Sequence, residues 1–333
     1  MHRKQLFLLL AVLLLVLAVV GGRLWVNRRL TTVRLSEVVR SIFYAPQYVA
    51  LSRGFFTDEG LHIELSTAGG ADKGAAALVS GSVDIGFFGP EAAVYLYQQG
   101  AKDYAVGFAQ LTAMDGSFLM ARLPTDDFRW EDLRGKTVVG ARIGGVPQMV
   151  LEWILREHDI DPAKDLTMIT HLAFSAAPGA FQAGTGDYIA QFEPTLSAME
   201  EAGIGKIVAS LGVDGGPITY TVYHARKSYF AENQDILERF TRAIYRGMQW
   251  VETHTIEEVV AEVLPFFPGT EKEVLIKALT RYREQGTWNK NPVISQEGFE
   301  HLLDVMAAAG ELERRVPFEA IMDNSVALKV VGE

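Results

Sequence analysis

The sequence predicts an α/β protein of two doubly wound lobes joined by a two-strand hinge, with a helical C-terminal tail packed on the first lobe. Three observations carry this. Gly81–Gly100 (GSVDIGFFGPEAAVYLYQQG) and Gly184–Gly203 (GTGDYIAQFEPTLSAMEEAG) rhyme: each runs glycine, two spacers, aspartate, a short apolar strand, a proline, then a helical pattern closed by glycine. Two more stretches, around Pro46 and Pro147, share this strand–turn–helix grammar. Beyond Lys227 the pattern is purely helical, so two α/β series precede a tail. At 333 residues the chain is longer than one core usually fills.

Proline suits a helix's first turn, where its missing N–H costs nothing and its fixed φ already fits. Ligands of open α/β sheets bind just beyond the carboxyl ends of strands. Helix N-termini there offer unpaired N–H donors. Four such corners, two in each half, predict two similar lobes facing one ligand.

Taken in order, Val33–Val39 reads as the first strand, followed by a helix ending at Gly54. Leu61–Ser66 is the second strand and Ala71–Ser80 a small-residue helix; the Gly81–Gly100 unit follows. Tyr104–Ala113 and Ser117–Arg122 are further strands. Pro124–Gly135 is a connection to the second series: strand Thr137–Ala141, helix Pro147–His158, strand Leu166–His171, helix Ala177–Ala183 and the Gly184–Gly203 unit. Lys206–Leu211 and Thr219–His224 complete the strands. Asn233 is expected to cap a helix through Val251; Thr255 with Glu258, and Thr270 with Glu273, read as capping boxes. The expected division is residues 31–115 plus 220–333 for lobe one and 116–219 for lobe two.

Composition excludes whole classes. The formal charge is −10, yet residues 1–30 hold five positive residues and no acid, which leaves −15 on the rest. Such a surface argues against nucleic acid. With no cysteine, disulfides, thiolate metal sites and thiol catalysis are excluded. The seven histidines are scattered without HExxH, and there is no GxSxG, P-loop or GxGxxG turn, so neither a metal, a cofactor nor an enzyme is expected. Residues 5–22 are uncharged between Lys4 and Arg23, on the border between a signal peptide's core and a spanning helix. Residues 1–30 are therefore expected to be a signal peptide or membrane anchor, with the remainder outside the cytoplasmic membrane.

YAPQYVALSRGFFTDEGLHIEL, GGADKGAAALVSGSVDIGFFGPEA, DLRGKTVVGARIGG and GDYIAQFEP, in that order, resemble the solute-binding components of ABC importers. The branch is the one for aliphatic sulfonates, taurine, nitrate and thiamine-pyrimidine precursors, and the resemblance spans roughly residues 33–310. It implies a periplasmic-binding-protein fold of type II, closing on its ligand by hinge motion, and a membrane permease as partner. A monomer is expected. The alternatives are a thiamine-pyrimidine synthase, whose iron motif needs cysteines absent here, and a ligand-sensing partner of a membrane signalling protein.

The expected ligand residues sit at the corners. Tyr44 precedes Pro46; Gly89 and Glu91 flank Pro90; Gly144 and Gly145 precede Pro147, with Gln148 next; Phe192 and Glu193 precede Pro194. Arg142 can pair an acidic ligand, although a salt bridge is the commoner fate of such a residue. Thr112 and Asp115 lie beside the first crossing and Phe174 after a strand end. Phe43, Phe87 and Phe88 can stack on a ring or pack internally. The negative mature charge and two corner glutamates favour a nitrogenous ring with N–H donors, such as a thiamine-type pyrimidine, with a sulfonate or taurine next.

Overall fold

The computed structural model describes residues 30–123 and 127–332. The expected leader or anchor over residues 1–30 thus lies outside the described residues, save Leu30. Among those described, ten strands run in chain order: β1 (Thr31–Glu37), β2 (Leu61–Thr67), β3 (Ile85–Phe88), β4 (Ala105–Thr112), β5 (Ser117–Ala121), β6 (Thr137–Val139), β7 (Thr167–Ile169), β8 (Tyr188–Phe192), β9 (Lys206–Ser210) and β10 (Thr221–Arg226). They form two mixed five-stranded sheets, ordered β2-β1-β3-β10-β4 and β7-β6-β8-β5-β9.

The two sheets follow one plan. In the first, β1 pairs in parallel with β2 and β3, and β10 runs antiparallel between β3 and β4. In the second, β6 pairs in parallel with β7 and β8, and β5 runs antiparallel between β8 and β9. The rhyming glycine-to-glycine units thus occupy equivalent places, at β3 and β8. Each sheet borrows its antiparallel strand from across the junction, so the chain crosses at residues 113–116 and returns at 216–220. The crossings are bonded to each other, Ile218 N–H to the Ala113 carbonyl at 2.9 Å. This is the two-lobed, two-strand-hinge α/β fold.

Eight helices position the site and the tail: α1 (Ala45–Ser52), α2 (Ala71–Val79), α3 (Pro90–Gln98), α4 (Val146–Glu157), α5 (Thr195–Glu201), α6 (Gln234–Thr253), α7 (Lys272–Glu284) and α8 (Gln296–Ala308). Every residue of β3 and β4 is buried, as in strands covered on both faces. The aromatics of this core pair off. Phe87 stacks on Tyr223 with ring centres 4.2 Å apart, and Phe88 lies parallel to His224 at 4.3 Å. Neither ring nitrogen of His224 has a partner, and burial pushes its pKa down to about 3, so it is a neutral core group.

The tail packs on lobe one through α6, whose Gly247 permits close approach: a Cβ there would lie 2.3 Å from the Pro46 carbonyl. It also reaches lobe two. Arg281 and Lys277 of α7 pair with Glu200 and Glu201 of α5, and His301 of α8 meets Trp153 of α4 edge-on at 5.5 Å. The tail further supports the hinge, since Ala113 N–H donates to the Thr287 carbonyl and Asn289 N–H to the Leu111 carbonyl, both at 2.9 Å.

Two caps differ from expectation. Asn233 makes no side-chain bond to the start of α6; its amide donates backwards to the Tyr229 carbonyl at 3.1 Å, ending the preceding helix instead. Thr270 forms no capping box, because α7 begins two residues later with Glu271 as its cap residue. The Thr255–Glu258 box is present.

Candidate functional site

At the first corner, Ser41 accepts a bond from Phe43 N–H and donates its hydroxyl to the Glu193 carbonyl at 2.9 Å, tying the two lobes behind the site. Tyr44 then stands with its ring against Phe87 at 4.6 Å, and burial raises its hydroxyl pKa far above the usual value. At the second, Gly89 is the cap residue and Pro90 the first residue of α3. A Cβ on Gly89 would lie 2.0 Å from Glu91 Oε2, so the Glu91 carboxyl folds back over the helix start, into space that a side chain would fill.

Glu91 is 3% exposed and its Oε2 has no hydrogen-bond partner. Burial pushes its pKa up to about 8; the N–H groups of Glu91, Val146 and Ala92 pull the other way, and Asp72 adds to the rise. Val146 opens α4 in the other lobe, so the carboxyl sits between two helix starts.

The third corner approaches from lobe two. Gly144, at φ +78°, lies in the left-handed region, and Gly145 caps α4. The Tyr95 hydroxyl of α3 donates to the Gly144 carbonyl at 3.0 Å. Arg142 reaches both carboxylate oxygens of Asp72, each at 3.3 Å, in an ion pair between lobes. At the fourth corner Phe192 packs against Phe174 and Phe43, ring centres 5.7 and 5.8 Å away.

These corners enclose a cavity of about 210 Å³ between the lobes. Tyr44, Gly89 and Glu91 line it from one side, and Arg142, Gly144, Gly145, Phe174 and Phe192 from the other. The remaining expected residues lie outside the lining. Pro90 is buried in the first turn of α3. Thr112 bonds Thr221, Oγ1 to Oγ1, at 2.5 Å. Asp115 Oδ1 accepts from the N–H and hydroxyl of Ser117 at 2.6 and 2.5 Å, an Asx arrangement that holds the hinge; burial raises its pKa to about 6. Gln148 turns along α4 to Glu152 at 2.9 Å.

Glu193 departs most from expectation. Its two oxygens accept from Ser197 N–H and Oγ–H, each at 2.8 Å, and Oε1 lies 2.6 Å from Arg281 Nη1. It is thus consumed as a cap and a buried ion-pair partner. Pro194 is the cap residue of α5 rather than its first helical residue, and the Glu193–Pro194 peptide is cis. Phe43, Phe87 and Phe88 are fully buried core. The lining also includes Tyr95, Tyr220 and Asp72, which the sequence reading missed.

A sequence profile of the NMT1-like family matches residues 30–265. The chain belongs to the NMT1-like family. Among curated relatives of this NMT1-like protein is "Putative binding protein YtlA" of Bacillus subtilis (strain 168), 42% identical over 304 residues that cover 91% of each chain. Solved structures share the fold at lower identity. A protein of Bordetella bronchiseptica RB50 superposes with a TM-score of 0.73 at 23% identity, covering 91% of this chain and 97% of its own. The alkanesulfonate-binding protein SsuA from Xanthomonas axonopodis pv. citri, bound to MOPS, gives a TM-score of 0.73 at 16% identity, covering 89% of this chain and 99% of its own.

Of the residues the sequence reading missed, Tyr95 carried a signal in this NMT1-like chain. It lies four residues after Glu91, hence on the same face of α3. Tyr220 and Asp72 come from the return crossing and the α2 start, and no local pattern marks them.

Proposed function

We propose that this protein is an extracytoplasmic solute receptor of an ABC importer that captures a small organic molecule between its lobes and presents it to a membrane permease. The lobes would be residues 31–115 with 220–333, and 116–219, acting as a monomer held at the membrane by the N-terminal segment or released from it. The relatives' names, a putative binding protein and an alkanesulfonate-binding protein, support the receptor class. The absence of cysteine argues against the synthase alternative.

The observation that carries the reading is the inter-lobe cavity with Glu91 in its wall, buried and unpartnered at Oε2. A buried acceptor without a donor costs free energy that a ligand's donor recovers. The cavity is smaller than the roughly 300–1,000 Å³ that drug-sized ligands fill, which favours a compact solute. Tyr44, Phe174 and Phe192 supply ring faces. A nitrogenous ring such as a thiamine-type pyrimidine is the favoured ligand, with a sulfonate or taurine second.

The test is native mass spectrometry of the purified protein, followed by calorimetric titration of a 4-aminopyrimidine and of taurine. Binding of the aminopyrimidine with a fall in radius of gyration supports the reading. If no small molecule is carried or bound, and no candidate shifts the melting temperature, the receptor proposal fails.

A further inference from the structure

Helix N-termini ordinarily welcome negative groups, because their first N–H groups are unpaired and the helix dipole is positive there. Two of them face this cavity from opposite lobes. Helix α3 begins at Pro90 and α4 at Val146, and Tyr95 of α3 bonds Gly144, just before α4, at 3.0 Å. A sulfonate or another small anion would find its best seat between them. That seat is taken. The Glu91 carboxyl folds over the Gly89 cap, beside the backbone N–H groups of Glu91, Val146 and Ala92, which act to lower its raised pKa. The other charges in the lining are Asp72 and Arg142, and these pair with each other across the lobes. Arg142 is thereby paired at the exposed rim, and Glu91 is the lining's unmatched buried acid.

Resting on the receptor reading above, we infer that Glu91 sets specificity: its carboxyl plugs the space before both helix starts, keeps small anions out, and accepts from N–H donors of the ligand instead. The exclusion is first one of volume, since the side chain occupies the space an anion needs; above about pH 8, where Glu91 ionises, its charge adds repulsion. An amino group on a heterocycle has the opposite fit, since Oε2 is an acceptor without a donor. Removing the carboxyl should therefore do more than weaken the native ligand. It should open an anion site.

The experiment titrates methanesulfonate and a 4-aminopyrimidine into wild type, Glu91→Ala and Glu91→Thr by calorimetry, with circular dichroism and melting as the check on folding. Wild type is expected to take the aminopyrimidine and refuse methanesulfonate. Each variant is expected to lose the former and gain roughly tenfold or more for the latter, the scale of an anion at two helix starts. Folded variants that gain no methanesulfonate binding overturn the inference, as does wild type binding it equally well. Should neither variant fold, wild-type crystals soaked in methanesulfonate decide. Density between Pro90 and Val146 overturns the plug, and a seat free of it supports the plug. The receptor proposal fails separately, when wild type binds no small solute at all; a methanesulfonate gain in the variants would then still support the plug.

Discussion

The Tyr95 hydroxyl donates to the Gly144 carbonyl at 3.0 Å, a bond from the middle of α3 in one lobe to the loop before α4 in the other. Because it joins the two lobes, any opening of the cleft would have to break it. Tyr95→Phe should therefore favour the open form by about 0.5–1.5 kcal/mol, the net worth of one such bond. At about 1.4 kcal/mol per tenfold, this weakens a cleft ligand by two- to tenfold. Calorimetry and small-angle scattering check it. Unchanged affinity together with an unchanged unliganded radius would remove Tyr95 from the closure.

Arg142 offers the contrast. Its pair with Asp72 also joins the lobes, but the two side chains are 46% and 59% exposed. Exposed pairs contribute about 0–1 kcal/mol and are screened by salt. Arg142→Ala should change affinity for a neutral ligand less than Tyr95→Phe does, and any change should fade at high salt. A loss larger than that of Tyr95→Phe would mean that Arg142 touches the ligand directly.

Glu91 also makes stability depend on pH. The folded chain holds its proton up to about pH 8, whereas the ordinary value is 4.5. Between those limits the folded state binds more protons than the unfolded one, so stability falls as pH rises, at up to about 1.4 kcal/mol per unit. Asp115, raised to about 6, acts in the same direction over a lower window, so the difference between proteins isolates Glu91. The groups set against the Glu91 carboxyl are Asp72 and the hydroxyls of Tyr44, Tyr95 and Tyr220. Melting temperatures from pH 5 to 8 should fall more steeply for wild type than for Glu91→Gln. Parallel curves would place the carboxyl in water.

The two glutamates show where sequence reasoning ends. A short apolar strand followed by a turn and a proline announces a strand, a turn and a helix by local chemistry, and the corners were legible for that reason, two of them reinforced by the glycine–aspartate lead. What a corner's polar residue does depends on its phase against the helix start. Glu91 follows its proline and lies in the first turn of α3, facing the gap. In the second unit Glu193 precedes its proline and lies outside the helix, where its carboxyl turns onto Ser197 N–H four residues on. That order is visible in the sequence, but its consequence required the position of Arg281 on a tail helix 88 residues away. Asp72 and Tyr220 were hidden for a similar reason: they meet the cavity only once two distant chain segments fold against it.

Glu193 should accordingly matter to stability and not to the ligand. It is buried, and Arg281→Met leaves its carboxylate without the cation at 2.6 Å. Breaking a buried pair from one side costs about 3–5 kcal/mol, and partial exposure of Arg281 places the expected loss near the lower end. Glu193→Gln should lower the melting temperature while ligand affinity stays within roughly threefold. A ring affinity lost at unchanged stability would return Glu193 to the site.

The aspartates of the rhyming units make the last prediction, because they do the same work twice. Asp84 Oδ2 accepts from the Arg34 backbone N–H at 2.9 Å, and Asp187 Oδ2 from that of Thr137 at 2.8 Å. In return Asp84 N–H donates to the Arg34 carbonyl and Asp187 N–H to the Thr137 carbonyl, at 2.9 and 2.7 Å. Each aspartate thus pins the entry of β3 or β8 onto the strand beside it, and so fixes where the following proline corner meets the cleft. Asp84 adds a fork to the Arg34 guanidinium, at 2.6 and 3.0 Å, but that guanidinium is 43% exposed and water replaces much of the pairing. Asp84→Ala and Asp187→Ala should therefore both destabilise, by about 0.5–1.5 kcal/mol each, the net worth of one such bond where water can reach the freed N–H. Asn at either position keeps an acceptor oxygen and should recover most of the loss. Urea unfolding of the four single variants checks this, and an Asn variant as unstable as its Ala counterpart would show that charge, rather than the backbone bond, is what the aspartate supplies.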